Sequence, residues 1–365
     1  MPSDLDVLRR AVTVGLHCAQ VGVRSEEWRV TTGVVNLATE MRVQGLLQLA
    51  LDAGLLVADD PARRDVHDAV VSAVLRKMAA ESWAVEALSV FDRRGVEACA
   101  LKGLAIAHLD HSNPRERMFG DADLLIRRAD YSRAMAALAA AGFHRVSPPV
   151  RKWWEQRFAK AIVLRTPSGG ELDLHLAITG GYFGSRIDHA RLWKTHSQLF
   201  DLDGRPSVGL DGEGRWLHAC CHVVLGGGSG LRAERDVAQL LLVSRVDWEA
   251  VVADAEREGV DIVIAEAINS TWRDLQLAAD HPAAQWACAH HADQRQQRAL
   301  EGYRQATSVG WGPEGRSQLR ALGPVDRVLF LTGLAMPSRA SRRFRQRTLG
   351  SHLRSGIATA RGRKP

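Results

Sequence analysis

The sequence is expected to fold as an α+β protein, with a small mixed sheet flanked in sequence by N-terminal and C-terminal helical regions. Three observations carry this expectation. Residues 5–93 repeat their apolar positions at helical spacing. Between residues 95 and 177 the pattern changes to short apolar runs bounded by glycines. From roughly residue 185 the helical period returns. The chain therefore divides into a helical region over 1–94, a core over 95–184, a second helical region over 185–337 and a basic tail over 338–365.

In the first region Leu46, Leu47, Leu49 and Leu51 form a dense apolar stretch. Asp59, Asp60 and Pro61 make a stop and a restart. Val66, Val70, Val71 and Val74 then follow near-helical spacing on a segment that reaches Phe91. In the core, residues 95–101 read as a short buried strand ending at Lys102-Gly103, with a helix opening at Leu104. Residues 121–126 read as a second strand, entered through Gly120. Asp130 to Ala141 is an Ala-rich helix closed by Gly142, and residues 143–146 are a third strand. Residues 159–166 and 171–177, joined by a Pro-Ser-Gly-Gly turn, read as a hairpin. The later helices fall at 212–225, 233–244, 248–258 and 262–277, with the glycine-rich stretch Gly226 to Gly230 between the first two. That stretch has no Lys-Ser or Lys-Thr after it, so it is not a P-loop and reads as a flexible connection.

The net charge of +6 on 365 residues is unevenly placed. Ten basic residues and no acidic one follow Asp326; removing them leaves 38 basic residues against 42 acidic ones, a net of −4. A uniformly basic nucleic-acid-binding domain is excluded, and the tail is read as a disordered or loosely helical extension. The start MPSDLDVLRR has no apolar h-region, and no apolar run approaches the ~18 residues of a membrane span. A cytoplasmic protein with no membrane partner is expected. The five cysteines, Cys18, Cys99, Cys220, Cys221 and Cys288, show no C-x-x-C spacing and read as reduced thiols.

The chemistry concentrates in Gly120-Asp121-Ala122-Asp123-Leu124-Leu125. On a strand, residues i and i+2 point to one face, so Asp121 and Asp123 project together. Two carboxylates at that separation repel unless a cation lies between them. A divalent metal such as Mg²⁺ is the natural counterion. Asp173, within Glu171-Leu172-Asp173-Leu174-His175, supplies a third carboxylate on a half-buried strand, with His175 on the same face. Three carboxylates on adjacent strands suit two metals ~3.5–4 Å apart. For phosphate, Lys102 offers a charge, and Gly103 lets backbone N–H groups approach at a helix start. Arg115 and Arg117 are further candidates.

This order of motifs resembles the nucleotidyltransferase superfamily with the DNA polymerase β palm: strand, Leu101-Lys102-Gly103, helix, Pro114-x-x-Arg117, Gly120-Asp121-x-Asp123, then Glu171-x-Asp173-x-His175. Within it, the sequence is most similar to the bacterial uncharacterised nucleotidyltransferase family. Met41-Arg42-Val43, Trp216-Leu217-His218 through His222, Leu231-Arg232, Asp236 to Leu241 and Asp247-Trp248 extend the resemblance over roughly residues 40–280. It implies a polymerase β-like catalytic core over 95–184, with metal binding and catalysis by Asp121, Asp123 and Asp173 and nucleotide binding by Lys102, Gly103, Arg117, His175 and Arg232. It also implies Mg²⁺, as two ions with Mn²⁺ as a substitute, and an NTP donor such as ATP. An NMP group would pass to an acceptor hydroxyl of a small molecule or peptide, with release of pyrophosphate. The superfamily usually carries Gly-Ser or Gly-Gly in the phosphate turn where this chain has Lys102-Gly103, and the closer family commonly has the Lys-Gly form.

Plainer readings stand beside these. Asp-x-Asp also marks a strand end with two solvated acids, and Asp173 suits a hairpin surface. Lys102 suits a surface lysine. Arg232 suits a structural pair with Asp236, four residues on. His175 suits a half-buried structural histidine. His218 and His222 share a helix face, but the adjacent Cys220 and Cys221 cannot join both of them there, so zinc is not expected. Trp153-Trp154 suits packing. An RNA acceptor, drawn by the basic tail in the manner of a tRNA-modifying toxin, is an alternative partner. A non-catalytic nucleotide- or RNA-binding protein is another.

Overall fold

The computed structural model describes residues 2–16, 28–195, 197–226, 230–304, 319 and 322–344. Cys18, Gly227 to Ser229 and the tail from 345 onward lie outside the described residues. The chain is mixed α and β. It divides into two compact units: Met1–Val85, Cys99–Asp123 and Asp188–Ala292 form one, and Glu86–Ala98, Leu124–Ile187 and Asp293–Pro365 the other. Neither unit is a continuous segment.

The sheet has seven strands. They are β1 (Ala98–Ala100), β2 (Ala122–Ile126), β3 (His144–Arg145), β4 (Ala161–Arg165), β5 (Glu171–His175), β6 (Gln198–Leu202) and β7 (Arg205–Gly209), in the order β3-β4-β5-β2-β1-β7-β6. All five residues of β2 are buried, which explains why it reads as a continuous apolar run behind its acids. β4 and β5 form the expected antiparallel hairpin, with Val163 opposite Asp173 and Ala161 opposite His175. Leu172 and Leu174 fill the core face of β5.

β6 and β7 differ from the sequence expectation, which placed only helix after residue 185. They form an antiparallel hairpin, and β7 pairs parallel to β1 through Ala100 and Gly209. The turn is Asp203-Gly204, both left-handed at φ 55° and 76°. Asp-Gly with two positive φ values is the turn that matches strand twist, so the signal was present. It was obscured because β6 is mostly exposed and carries no apolar alternation, and because Pro206 interrupts β7.

Helices of the first unit are built by local rules. In α1 (Asp4–Val12) Ser3 and Asp6 make a capping box. Thr31 caps α2 (Thr32–Glu40). The chain leaves α2 through Arg42 at φ 55°, a left-handed position normally given to glycine, at a cost of about 1 kcal/mol. It re-enters as α3 (Gln44–Asp52). Here Gly45 matters, because a Cβ at that position would lie 2.0 Å from the carbonyl oxygen of Arg115. The α2–α3 turn is thereby pressed against the loop that precedes β2. Gly45→Ala is expected to destabilise the protein by about 1–3 kcal/mol, read as a lower urea midpoint with an unchanged slope.

The long α4 (Asp60–Asp92) follows, then α5 (Lys102–Leu109) directly after β1. Helix α6 (Tyr131–Ala140) lies where expected. Helix α7 (Lys152–Phe158) was not expected; it carries Trp153 and Trp154. The Trp154 indole donates to the Phe330 carbonyl at 3.0 Å and packs on Phe158 and Phe330, so it serves packing. Two short helices follow, α8 (Gly181–Gly184) and α9 (His189–Thr195). Helix α10 (Gly212–Leu225) is capped by Asp211.

The helix expected over 233–244 is instead α11 (Leu231–Ala238) continued by a wide π turn over Gln239–Val243. There the Gln239 amide donates to the Asp110 carbonyl at 2.6 Å. Next come α12 (Trp248–Glu258), α13 (Asp261–Leu275), α14 (Pro282–Ala289), α15 (Gln294–Arg304), α16 (Pro324–Ala335) and α17 (Arg339–Phe344). Among the described residues no helix is long and apolar enough to cross a membrane. Cys99, Cys220 and Cys221 are buried and form no disulfide among the described residues; burial pushes the Cys99 thiol up to about 12.

Candidate active site

The site grows from the end of β1. The Leu101 N–H donates to the Asp123 carbonyl at 3.0 Å, which ties the end of β1 to β2. Lys102 follows at φ 48°, a strained conformation for a side-chain-bearing residue. Its ammonium donates to Asp123 Oδ1 at 2.5 Å. Asp123 is 2% exposed, so this charge-assisted bond compensates a carboxylate removed from water. Gly103 also has a close side-chain neighbour. A Cβ there would fall 2.6 Å from the Phe119 side chain, so the glycine makes room for that ring.

The two aspartates of the Asp-x-Asp motif sit in unlike surroundings. Asp123 lies within β2 and is buried. Asp121 lies just before the strand, its side chain 47% exposed, with Oδ1 3.4 Å from an Arg42 guanidinium nitrogen. Sequence reasoning assigned no role to Arg42. Its only local signal was a non-glycine residue where a helix C-terminus calls for glycine.

β5 is the hydrogen-bonded neighbour of β2 in the sheet. One donor atom each from Asp123, Asp173 and His175 lie within 4.8 Å of one another. Asp123 and His175 are buried and Asp173 is half-buried. Asp121 is not among the three. Two carboxylates and an imidazole could hold a divalent metal ion. The His175 Nδ1 lies 3.4 Å from the Ala177 carbonyl oxygen, which only accepts. Among the described residues this is the one such group; His218, Cys220, Cys221 and His222 do not form another.

The arginines separate into two kinds. Arg117 is 4% exposed and donates from Nε and an Nη to the two oxygens of Asp236, at 2.6 and 2.7 Å. Its other Nη donates to the Met118 carbonyl at 2.5 Å. Burial opposes its charge, but Asp236 outweighs burial and holds the guanidinium above its ordinary range. Arg117 thus fixes the loop before β2 to α11. Asp236 is committed to Arg117 rather than to Arg232. Arg232 has no hydrogen-bond partner among the described residues. Burial first, then the positive charge of Arg117, pushes it down to about 10.

A family model described as "Uncharacterised nucleotidyltransferase" matches residues 29–268. No curated protein matches the chain. One solved structure, an antigenic nucleotidyltransferase-like protein from Paracoccidioides brasiliensis, aligns at 15% identity over 53% of this chain and 92% of that one, with a TM-score of 0.30. The family match spans the sheet, the acidic strand pair and the Arg117–Asp236 pair, and the class it defines is nucleotidyl transfer. The chain belongs to the uncharacterised nucleotidyltransferase family, and is a transferase.

Proposed function

We propose that the protein transfers a nucleoside monophosphate from an NTP to the hydroxyl of a small molecule or peptide and releases pyrophosphate. The observation that carries this is the convergence of Asp123, Asp173 and His175 on neighbouring strands, beside the Lys102 ammonium. Asp123 and Asp173 would hold a divalent metal, with Asp121 completing a two-ion site and His175 adding a nitrogen ligand. Mg²⁺ or Mn²⁺, when bound, supplies charge for the reacting phosphate and its leaving group.

The chain's own residues do the remainder. Asp173 would accept the proton of the acceptor hydroxyl. Lys102 contributes a point charge that can pass from Asp123 to a phosphate oxygen. Arg232 holds an anion at the start of α11, and Arg117 positions the loop. Phosphoryl transfer asks mostly for such positioning and charge.

The test is direct. The protein is incubated with each radiolabelled NTP, Mg²⁺ or Mn²⁺ and candidate acceptors, tRNA among them, and pyrophosphate and labelled product are measured. Metal-dependent pyrophosphate release with label on a small molecule or peptide supports the proposal. Label on tRNA alone replaces the acceptor class, and no release with any NTP refutes the reaction.

A further inference from the structure

The α2–α3 turn and the start of α11 contribute two arginines whose placement the Asp-x-Asp chemistry leaves unexplained. Arg42 occupies a left-handed position at the end of α2, where glycine would be relaxed. Close packing of Gly45 on the Arg115 carbonyl presses this turn onto the loop leading to Asp121. The result is the long, half-exposed contact between Arg42 and Asp121 at 3.4 Å. A bidentate pair would be shorter, as Arg117–Asp236 shows at 2.6 and 2.7 Å.

Arg232 stands at the second residue of α11, whose N-cap, Gly230, offers no side-chain cap. It is half-buried and has no hydrogen-bond partner among the described residues. The carboxylate one helical turn away, Asp236, has both oxygens engaged by Arg117. The charges acting on Arg232 include Arg117, Asp236, Arg42 and Asp121, so Arg42 and Arg232 share one neighbourhood. Two guanidiniums, one loosely held and one without a hydrogen-bond partner among the described residues, beside the N-terminus of α11, make a receptor for a multivalent anion.

We propose that Arg42 and Arg232 together clamp the terminal phosphates of the donor, a polyphosphate anion, and that Asp121 holds Arg42 in place until that anion arrives. The clamp rests on the nucleotidyl-transfer reading for the identity of its anion. When the polyphosphate takes Arg42, the Asp121 carboxylate is released toward the metal side of β2. Donor binding and completion of the carboxylate set are then one event. This accounts for Asp121 standing apart from the group of Asp123, Asp173 and His175.

Inorganic tripolyphosphate, which has no base or sugar, isolates the clamp. Its binding to the full chain is measured by titration calorimetry in EDTA, for wild type, Arg42→Gly, Arg232→Gln and Arg245→Gln. Arg245 is an exposed arginine outside this neighbourhood and serves as the charge control. The expected result is binding by wild type and Arg245→Gln, weakened at least about tenfold in each of the other two. Arg42→Gly should melt no lower than wild type, because glycine relaxes the left-handed position.

Wild-type-like binding by Arg42→Gly or Arg232→Gln overturns the clamp. So does equal weakening by Arg245→Gln, failure of wild type to bind, or a lowered melting temperature in Arg42→Gly. Normal pyrophosphate release with tripolyphosphate binding indifferent to Arg42 and Arg232 would sink the clamp alone. A specific clamp in a protein that releases no pyrophosphate from any NTP would leave the clamp standing and sink the reaction.

Discussion

Asp123→Asn is expected to lower metal-dependent pyrophosphate release by about three orders of magnitude or more. A bound metal contributes several kcal/mol to charge stabilisation during phosphoryl transfer, and each ~1.4 kcal/mol is tenfold in rate. The substitution keeps the side-chain shape but removes the charge that Lys102 meets at 2.5 Å. It therefore strands an ammonium that is only 19% exposed, and some loss of stability will accompany the loss of activity. The double variant Lys102→Met/Asp123→Asn separates the two effects. It should recover stability in a thermal melt and remain inactive. A rate within tenfold of wild type for Asp123→Asn would remove Asp123 from the reaction.

The second large effect belongs to the Arg117–Asp236 pair. Both side chains are 4% exposed, and the contact is bidentate. Removing one partner leaves a charge buried without compensation, so Arg117→Ala or Asp236→Ala is expected to cost about 3–5 kcal/mol in urea unfolding. Replacing both by apolar residues of similar length, as in Arg117→Met/Asp236→Leu, should restore most of that stability. Activity should not return with it, because the loop before β2 would lose the directional tie to α11. Single variants that unfold like wild type would show that the pair is solvated in solution.

Much of this architecture was legible in the sequence, for reasons that particular elements make clear. β2 could be read because it is buried on both faces, so Leu124, Leu125 and Ile126 follow Asp123 as an unbroken apolar run. β4 and β5 could be read because Leu172 and Leu174 alternate with polar residues across a glycine turn. α10 and α12 could be read from Asp211 and Asp247, each an N-cap ahead of a helical pattern. β6 was missed because its place at the sheet edge leaves little hydrophobic pattern, and β7 because Pro206 interrupts it, although Asp203-Gly204 marked the turn. The π turn after α11 was not legible; there Gln239 donates to the Asp110 carbonyl, 129 residues away in sequence.

Within the site, Asp123, Asp173 and His175 could be named from strand periodicity, and the sheet order supplies the adjacency that periodicity cannot. The partner of Arg117, 119 residues away in sequence, could not be read from spacing. Nor could Arg42, whose contact with Asp121 depends on a glycine packed against a backbone carbonyl in a different segment.

Gly103 has one further consequence. Its missing side chain is the space in which the Phe119 ring lies. The Lys-Gly dipeptide therefore joins two unlike requirements: a cation beside a carboxylate, and a seam where an aromatic ring meets bare backbone. The lysine meets the carboxylate and the glycine admits the ring, so one dipeptide serves two different contacts.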